Sequence, residues 1–214
     1  MLKKKSIYDE LENNRLAIGG ALANPAIVKA LSPLGFDRKE ILSGKALLQK
    51  MMNQQEERLH EENLQKASTD QLRKAYQEAN TLYMKHVKFA RMVIPAQSQL
   101  WNDMKLSGIR RKDIAGWLGQ VQSFYRYATT AAGLLAERGI TADELAQAQA
   151  MIEAVADARV QQNSCKGNKQ LARERRDKER KEMQLWMSKF IKAARFAFDE
   201  NKQQLEALGI LVRS

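Results

Sequence analysis

Apolar residues recur along this chain at alternating spacings of three and four, the repeat of a helix with one buried face. The clearest run is Leu72, Tyr76, Ala79, Tyr83, His86, Ala90 and Val93. A second face, Trp186, Phe190, Ala194, Ala197, Leu205 and Leu208, runs through the stretch from Gln184 to Val212. Val, Ile and aromatic residues never alternate with polar ones long enough to suggest a sheet, so the chain reads as all-α. One or two short helices are expected over Ile7–Leu31, restarted by Asn24 as cap and Pro25 at the first helical position. After a break at Ser32-Pro33-Leu34-Gly35, the Asp37/Glu40 capping pattern opens a helix to about Lys66. Ser68 and Gln71 read as another capping box, opening a third helix from Thr69 to about Lys105. Pro95 should kink that helix near Arg91–Ile94, and Gly108 should end it. The second half follows the same plan. A helix is expected over Lys112–Glu137, then Gly139-Ile140, then a Thr141/Glu144 capping box. A loop near Asn163–Asn168 precedes a final helix to about Leu208.

The halves share more than a plan. Lys88–Ile109 and Lys189–Ile210 both open on Lys-Phe and close on Gly-Ile, and the Gly35-Phe36 turn is matched at Gly139-Ile140. These landmarks imply a tandem duplication of a three-helix unit, residues 12–109 and 116–214, inside one domain spanning 1–214. They also make the second copy three residues shorter between its two glycine landmarks. The expected architecture is an elongated up-and-down bundle of four long helices plus two shorter ones, because four long apolar stripes are satisfied around one seam.

Composition agrees with helix, with three Pro and eleven Gly among 214 residues. A single cysteine, Cys165, rules out an internal disulfide and fits a reducing cytoplasm. Lys3-Lys4-Lys5 ahead of Leu16–Ala23 has the flavour of a signal peptide, but Asp9, Glu10 and Glu12 interrupt the required charged-to-apolar junction. No run approaches a membrane span, so no membrane partner is expected.

Net charge is +11 and uneven: residues 161–214 carry 13 basic and 7 acidic side chains, while 116–160 carry 3 basic and 5 acidic. Within the first of these segments Lys166, Lys169, Arg173, Arg175, Arg176, Lys178, Arg180 and Lys181 form a basic run, interleaved with Glu174, Asp177, Glu179 and Glu182. Glu174–Lys178 and Asp177–Lys181 are spaced for intrahelical pairs, which would neutralise much of it. Together with Arg110, Arg111 and Lys112 this run is the candidate patch for an anionic partner, nucleic acid among them. Stacking aromatics are missing from it. A stripe of Lys85, Lys88 and Arg91 is echoed by Lys189, Lys192 and Arg195.

Catalytic and cofactor chemistry finds little footing. Glu57–His60 has the Glu-x-x-His spacing of carboxylate-bridged bundles, but the chain's other histidine, His86, has no Glu three residues before it, so no second pair forms and no metal is expected. His86, on the seam, reads as a core side chain, with Met187 as its counterpart. Cys165 lies in a basic stretch that favours thiolate, yet has no histidine at hand. Gly19-Gly20 is not a phosphate cradle. No cofactor and no small-molecule substrate is implied. Trp101, Trp117 and Trp186 sit at helical spacing with other apolar residues and read as packing.

The Lys-Phe…Gly-Ile ending and the Gly-hydrophobic turn with its capping box resemble uncharacterised bacterial proteins built from duplicated helical hairpins. The resemblance covers about residues 16–212 and implies no activity. The expectation is therefore a non-enzymatic cytoplasmic bundle acting through protein–protein contact or self-association. A nucleic-acid-binding accessory protein is the alternative, and a carboxylate-metal bundle enzyme a remote one.

Overall fold

The computed structural model describes residues 6–210. The features at Lys3–Lys5 and at Leu211 and Val212 lie outside the described residues. The fold is all-α, with no strand among the described residues. Helices α1 (Ile7–Ala23) and α2 (Pro25–Leu31) lead into α3 (Arg38–Val93), followed by the short α4 (Gln99–Asp103). Then come α5 (Ile114–Thr130), the short α6 (Ala132–Ala136), α7 (Ala142–Ala197) and α8 (Lys202–Ala207). The long helices α3 and α7 pack on each other to make a helical bundle.

Where four long helices were expected, the chain forms two, each of 56 residues. Ser68 does not cap a new helix. It is buried inside α3, and its hydroxyl and that of Thr69 donate to the Gln65 carbonyl at 3.0 and 2.8 Å. No Gly or Pro occurs between Gly44 and Pro95, so nothing stops the helix before Pro95 does. Pro95 ends α3 rather than kinking it, because it lacks a donor and disfavours helical backbone at Ile94. Asn163–Asn168, expected as a loop, is α7 interior. Gly167 there costs only about 1 kcal/mol against Ala, too little to break a helix held by packing on both sides.

The expected N-caps at Asp37 and Thr141 are present. Asp37 Oδ1 accepts from Glu40 N at 2.8 Å, and Thr141 Oγ1 from Glu144 N at 3.2 Å. The reciprocal half of each capping box is missing, because the two glutamates reach elsewhere. Glu40 accepts from Trp186 Nε1 at 2.7 Å, and Glu144 from Lys85 Nζ at 2.8 Å.

The chain divides into two compact units, residues 1–62 with 168–214, and residues 63–167. Both α3 and α7 contribute a segment to each. In the first unit α3 and α7 run antiparallel, with Glu40 meeting Trp186 and Glu57 meeting Arg175. Its core gathers Ile18, Ile27, Leu31 and Met51 with Met183 and Leu208. Trp186 and Phe190 stack there at 5.2 Å, and Phe36 meets both edge-on. In the second unit Thr69 meets Gln162 and Lys85 meets Glu144, again antiparallel. Its core includes the aromatics Tyr83, Trp117, Phe124 and Tyr125.

Helix bounds and burial recur between the two halves more regularly than residue identity does. Arg38 to Ala142 and Val93 to Ala197 are both separations of 104 residues. Buried Ala79, Tyr83, His86, Ala90 and Ile94 then fall on buried Met183, Met187, Phe190, Ala194 and Phe198. The Lys-Phe and Gly-Ile pairs, 101 apart, are therefore out of register by one helical turn. Gly209 and Ile210 correspond to Lys105 and Leu106 instead. Both pairs close the same turn, with Ile210 N bonded to Leu205 O and Leu106 N to Trp101 O. Ile109 is 90% exposed, whereas Ile210 is 7% exposed. His86 consequently corresponds to Phe190, not Met187. In α1 and α5 the separation is 107, which sets buried Asn14, Ala17, Ile18 and Ala21 against Val121, Phe124, Tyr125 and Ala128. The change of separation from 107 to 104 falls at the Asn24-Pro25 restart between α1 and α2.

Candidate functional site

The basic run lies on α7, and much of it is already engaged by acidic and polar neighbours. Arg175 Nη1 is 3.1 Å from Glu57 Oε1. Arg176 donates to Gln55 at 3.4 Å and pairs with Asp177 at 2.7 Å. Arg180 holds Glu10 through Nε at 2.8 Å and Nη2 at 2.5 Å. The expected pairing partners of Glu174 and Asp177 are replaced: Gln170 donates to Glu174, and Asp177 takes Arg176 with Arg173 at 3.9 Å. Lys166, Arg173, Lys178 and Lys181 are exposed, and Lys169 is half-buried.

The Arg110–Lys112 cluster divides similarly. Arg110 Nη1 donates to the Tyr83 hydroxyl at 2.7 Å, and its Nη2 gathers the Lys105 and Ser107 carbonyls at 2.5 and 2.7 Å. Its guanidinium is a latch on the turn that follows α4. Arg111 and Lys112 remain exposed.

The densest chemistry is in the unit formed by residues 63–167. His86 is fully buried, with Nδ1 2.8 Å from the Tyr125 hydroxyl. Its Nε2 lies 3.3 Å from Glu144 Oε1, within ion-pair range but without hydrogen-bond alignment. A nitrogen facing a carboxylate carries the proton, so Nδ1 accepts from the Tyr125 O–H. Lys85 Nζ closes the chain on Glu144 at 2.8 Å and hangs over the Phe89 ring. Burial holds the His86 pKa below its ordinary value, opposed by Glu144. Burial also pushes the Tyr125 hydroxyl up, the opposite of an activated nucleophile. Lys85 keeps Glu144 below the usual carboxylate range. The Tyr83 hydroxyl is likewise raised by burial, against the pull of Arg110. The arrangement is a Tyr–His–Glu–Lys tie between α3, α5 and α7, in which Tyr125 satisfies Nδ1 of His86 while Nε2 meets Glu144 by charge alone.

The corresponding place in the other unit has no such tie. Phe190, stacked on Trp186, stands for His86, and Glu40 is held by the Trp186 indole. The sequence singled out His86 but not its partners. Tyr125 and Glu144 are 39 and 58 positions away, and no local spacing connects them.

Glu57 of the Glu-x-x-His spacing turns to Arg175, and His60 is exposed. Among the described residues no three His, Cys, Asp or Glu side chains converge. Cys165 is buried within α7, with Gln161 Nε2 3.7 Å from its sulfur, rather than lying in a loop. No helix among the described residues is long and apolar enough to cross a membrane. Comparison with known proteins gives no matching family model, no matching curated protein and no matching solved structure.

Proposed function

We propose that this chain is a non-enzymatic helical-bundle protein, derived by tandem duplication of a three-helix unit, that works through protein contact, including contact with a second copy of itself. The separations of buried positions between the halves, 107 from α1 to α5 and 104 from α3 to α7, support the duplication. The observation that carries the functional reading is on α7, where Leu185, Lys189, Lys192 and Phe196 follow one another at spacings of four, three and four along one line of the helix. Leu185 is 66% and Phe196 76% exposed. Phe196 is unusual on a solvated helix face, and aromatic side chains flanked by cations are typical anchors of protein interfaces. The matching line on α3 ends in Met92, also exposed.

Sedimentation of the intact chain, and of the Leu185→Glu/Phe196→Glu double variant, tests this. The wild type is expected to self-associate or retain a defined protein partner, and the double variant to lose that while keeping its helical content. A wild-type chain that stays monomeric, and retains the same proteins as the double variant, removes the reading.

The exposed remainder of the basic run, with Arg111 and Lys112, supports the second reading of a nucleic-acid face. It requires a complex at low salt that weakens steeply as salt rises, because each neutralised phosphate releases counterions. A gel shift with no complex at low salt ends it.

A further inference from the structure

A groove of about 490 Å3 opens in the unit formed by residues 1–62 and 168–214, between α1, α7 and the turn after α8. Its volume is that of an ordinary small-molecule site. We infer that this groove binds a small amphipathic monocarboxylate, with the Arg195 guanidinium on the carboxylate, the Asn14 amide beside it, and the apolar body against Ala17, Met187 and Ile210.

Two side chains in the groove carry polar capacity that the described residues do not use. Asn14 is only 7% exposed and has no hydrogen-bond partner among them. Its amide keeps access to the groove, so a bound polar group can take the place of water there. Arg195 also lines the groove and has no carboxylate or carbonyl partner there. Glu10, at the rim, is already matched by Arg180 and by Gln184 Nε2 at 2.8 Å. The unmatched charge in the groove is therefore positive. Met187, Ile191 and Ile210, with the Ala17 methyl, give the groove an apolar side for a hydrocarbon chain.

The corresponding region of the other unit is a built-in comparison, because there the same space is closed. Arg91 stands for Arg195, and its Nε and Nη2 donate to the Leu106 carbonyl at 2.9 and 2.5 Å. Leu106 in turn stands for Ile210. Val121 replaces Asn14, and the large rings of Trp117, Phe124 and Tyr83 fill the positions of Glu10, Ala17 and Met187. Even the polar contact at the rim is preserved in place: Trp117 Nε1 donates to Asn80 where Gln184 meets Glu10. One half thus fills this space with aromatic volume and uses its arginine on the backbone. The other leaves the space open, with the arginine and an amide facing it.

Calorimetric titration of the full chain tests the assignment with octanoate, octanol and acetate as probes. Octanoate is expected to bind at one site, and acetate and octanol about tenfold more weakly or worse, since loss of either a charged hydrogen bond or the apolar contact costs at least that much. Arg195→Gln should weaken octanoate by about tenfold without changing octanol. Asn14→Val, which copies Val121, should abolish octanoate binding while raising the Tm, and so separates loss of the site from loss of the fold. Arg91→Gln should leave octanoate binding unchanged. Absence of octanoate binding, equal binding of octanol, or octanoate binding unaltered by Arg195→Gln would each overturn the inference.

Discussion

Gly44 illustrates how a single position sets local packing. A Cβ there would lie 2.3 Å from two atoms of the Trp186 ring. The ring cannot retreat easily, since Phe36 and Phe190 pack on it and its Nε1–H is tied to Glu40. Gly44→Ala is expected to cost about 1–3 kcal/mol by overpacking, measured by urea unfolding. The corresponding positions in the other unit are Ala148 and Leu82, a larger residue facing a smaller one. Gly44→Ala combined with Trp186→Leu should therefore destabilise less than the two single changes added together, and strict additivity would refute the pairing. His86 makes a prediction of a different kind. Its folded pKa is depressed by burial, so the folded state takes up a proton less readily than the unfolded chain. Its contribution is complete above the unfolded value of about 6.5 and is lost as pH falls below it. Stability measured between about pH 7 and pH 5 should fall more steeply for the wild type than for the His86→Phe/Tyr125→Phe variant. Equal slopes would show that His86 binds its proton equally in the folded and unfolded chain, and a shallower wild-type slope that the tie holds the proton.

At the level of elements, caps read from sequence are present where the backbone leaves the helix, at Asn24, Asp37 and Thr141, and not within one. Asp37 and Thr141 follow the Gly35 and Gly139 turns, whose φ values are +85° and +79°, and both cap as their patterns imply. Ser68 has the same Ser-x-x-Gln spelling but lies mid-helix, where a hydroxyl bonds the preceding turn instead. Asp37→Ala and Thr141→Ala should each cost about 1 kcal/mol in chemical denaturation, and Ser68→Ala less than half of that. A large loss at Ser68 would restore a helix boundary there. The helical periodicity, the Gly35 and Gly139 turns and the all-α class were all legible, because each depends on neighbours in the chain. The register of the later helices was not. Lys-Phe and Gly-Ile matched by identity one turn away from the positions that burial equates, and identity says nothing of which face is covered. The Tyr125–His86–Glu144 tie was equally hidden, since it is assembled from three helices. So was the idle Arg195, which is conspicuous only beside the engaged Arg91.

For the molecule as a whole, the division into units matters more than the number of helices. Residues 63–167 form their unit from continuous chain, whereas the other must join segments as far apart as Glu10 and Arg180, 170 positions. Closing so long a loop before its contacts form slows folding. Trp186 reports on the discontinuous unit, and Trp101 and Trp117 on the continuous one. After dilution from denaturant, fluorescence of a Trp101→Phe/Trp117→Phe variant is expected to recover later than that of Trp186→Phe. Simultaneous recovery would mean that one nucleus serves both cores. Cys165, the chain's single sulfhydryl, is buried in the middle of α7. An alkylating reagent can reach it only when that stretch of helix breathes, so the unaltered protein carries its own clock for the opening of α7.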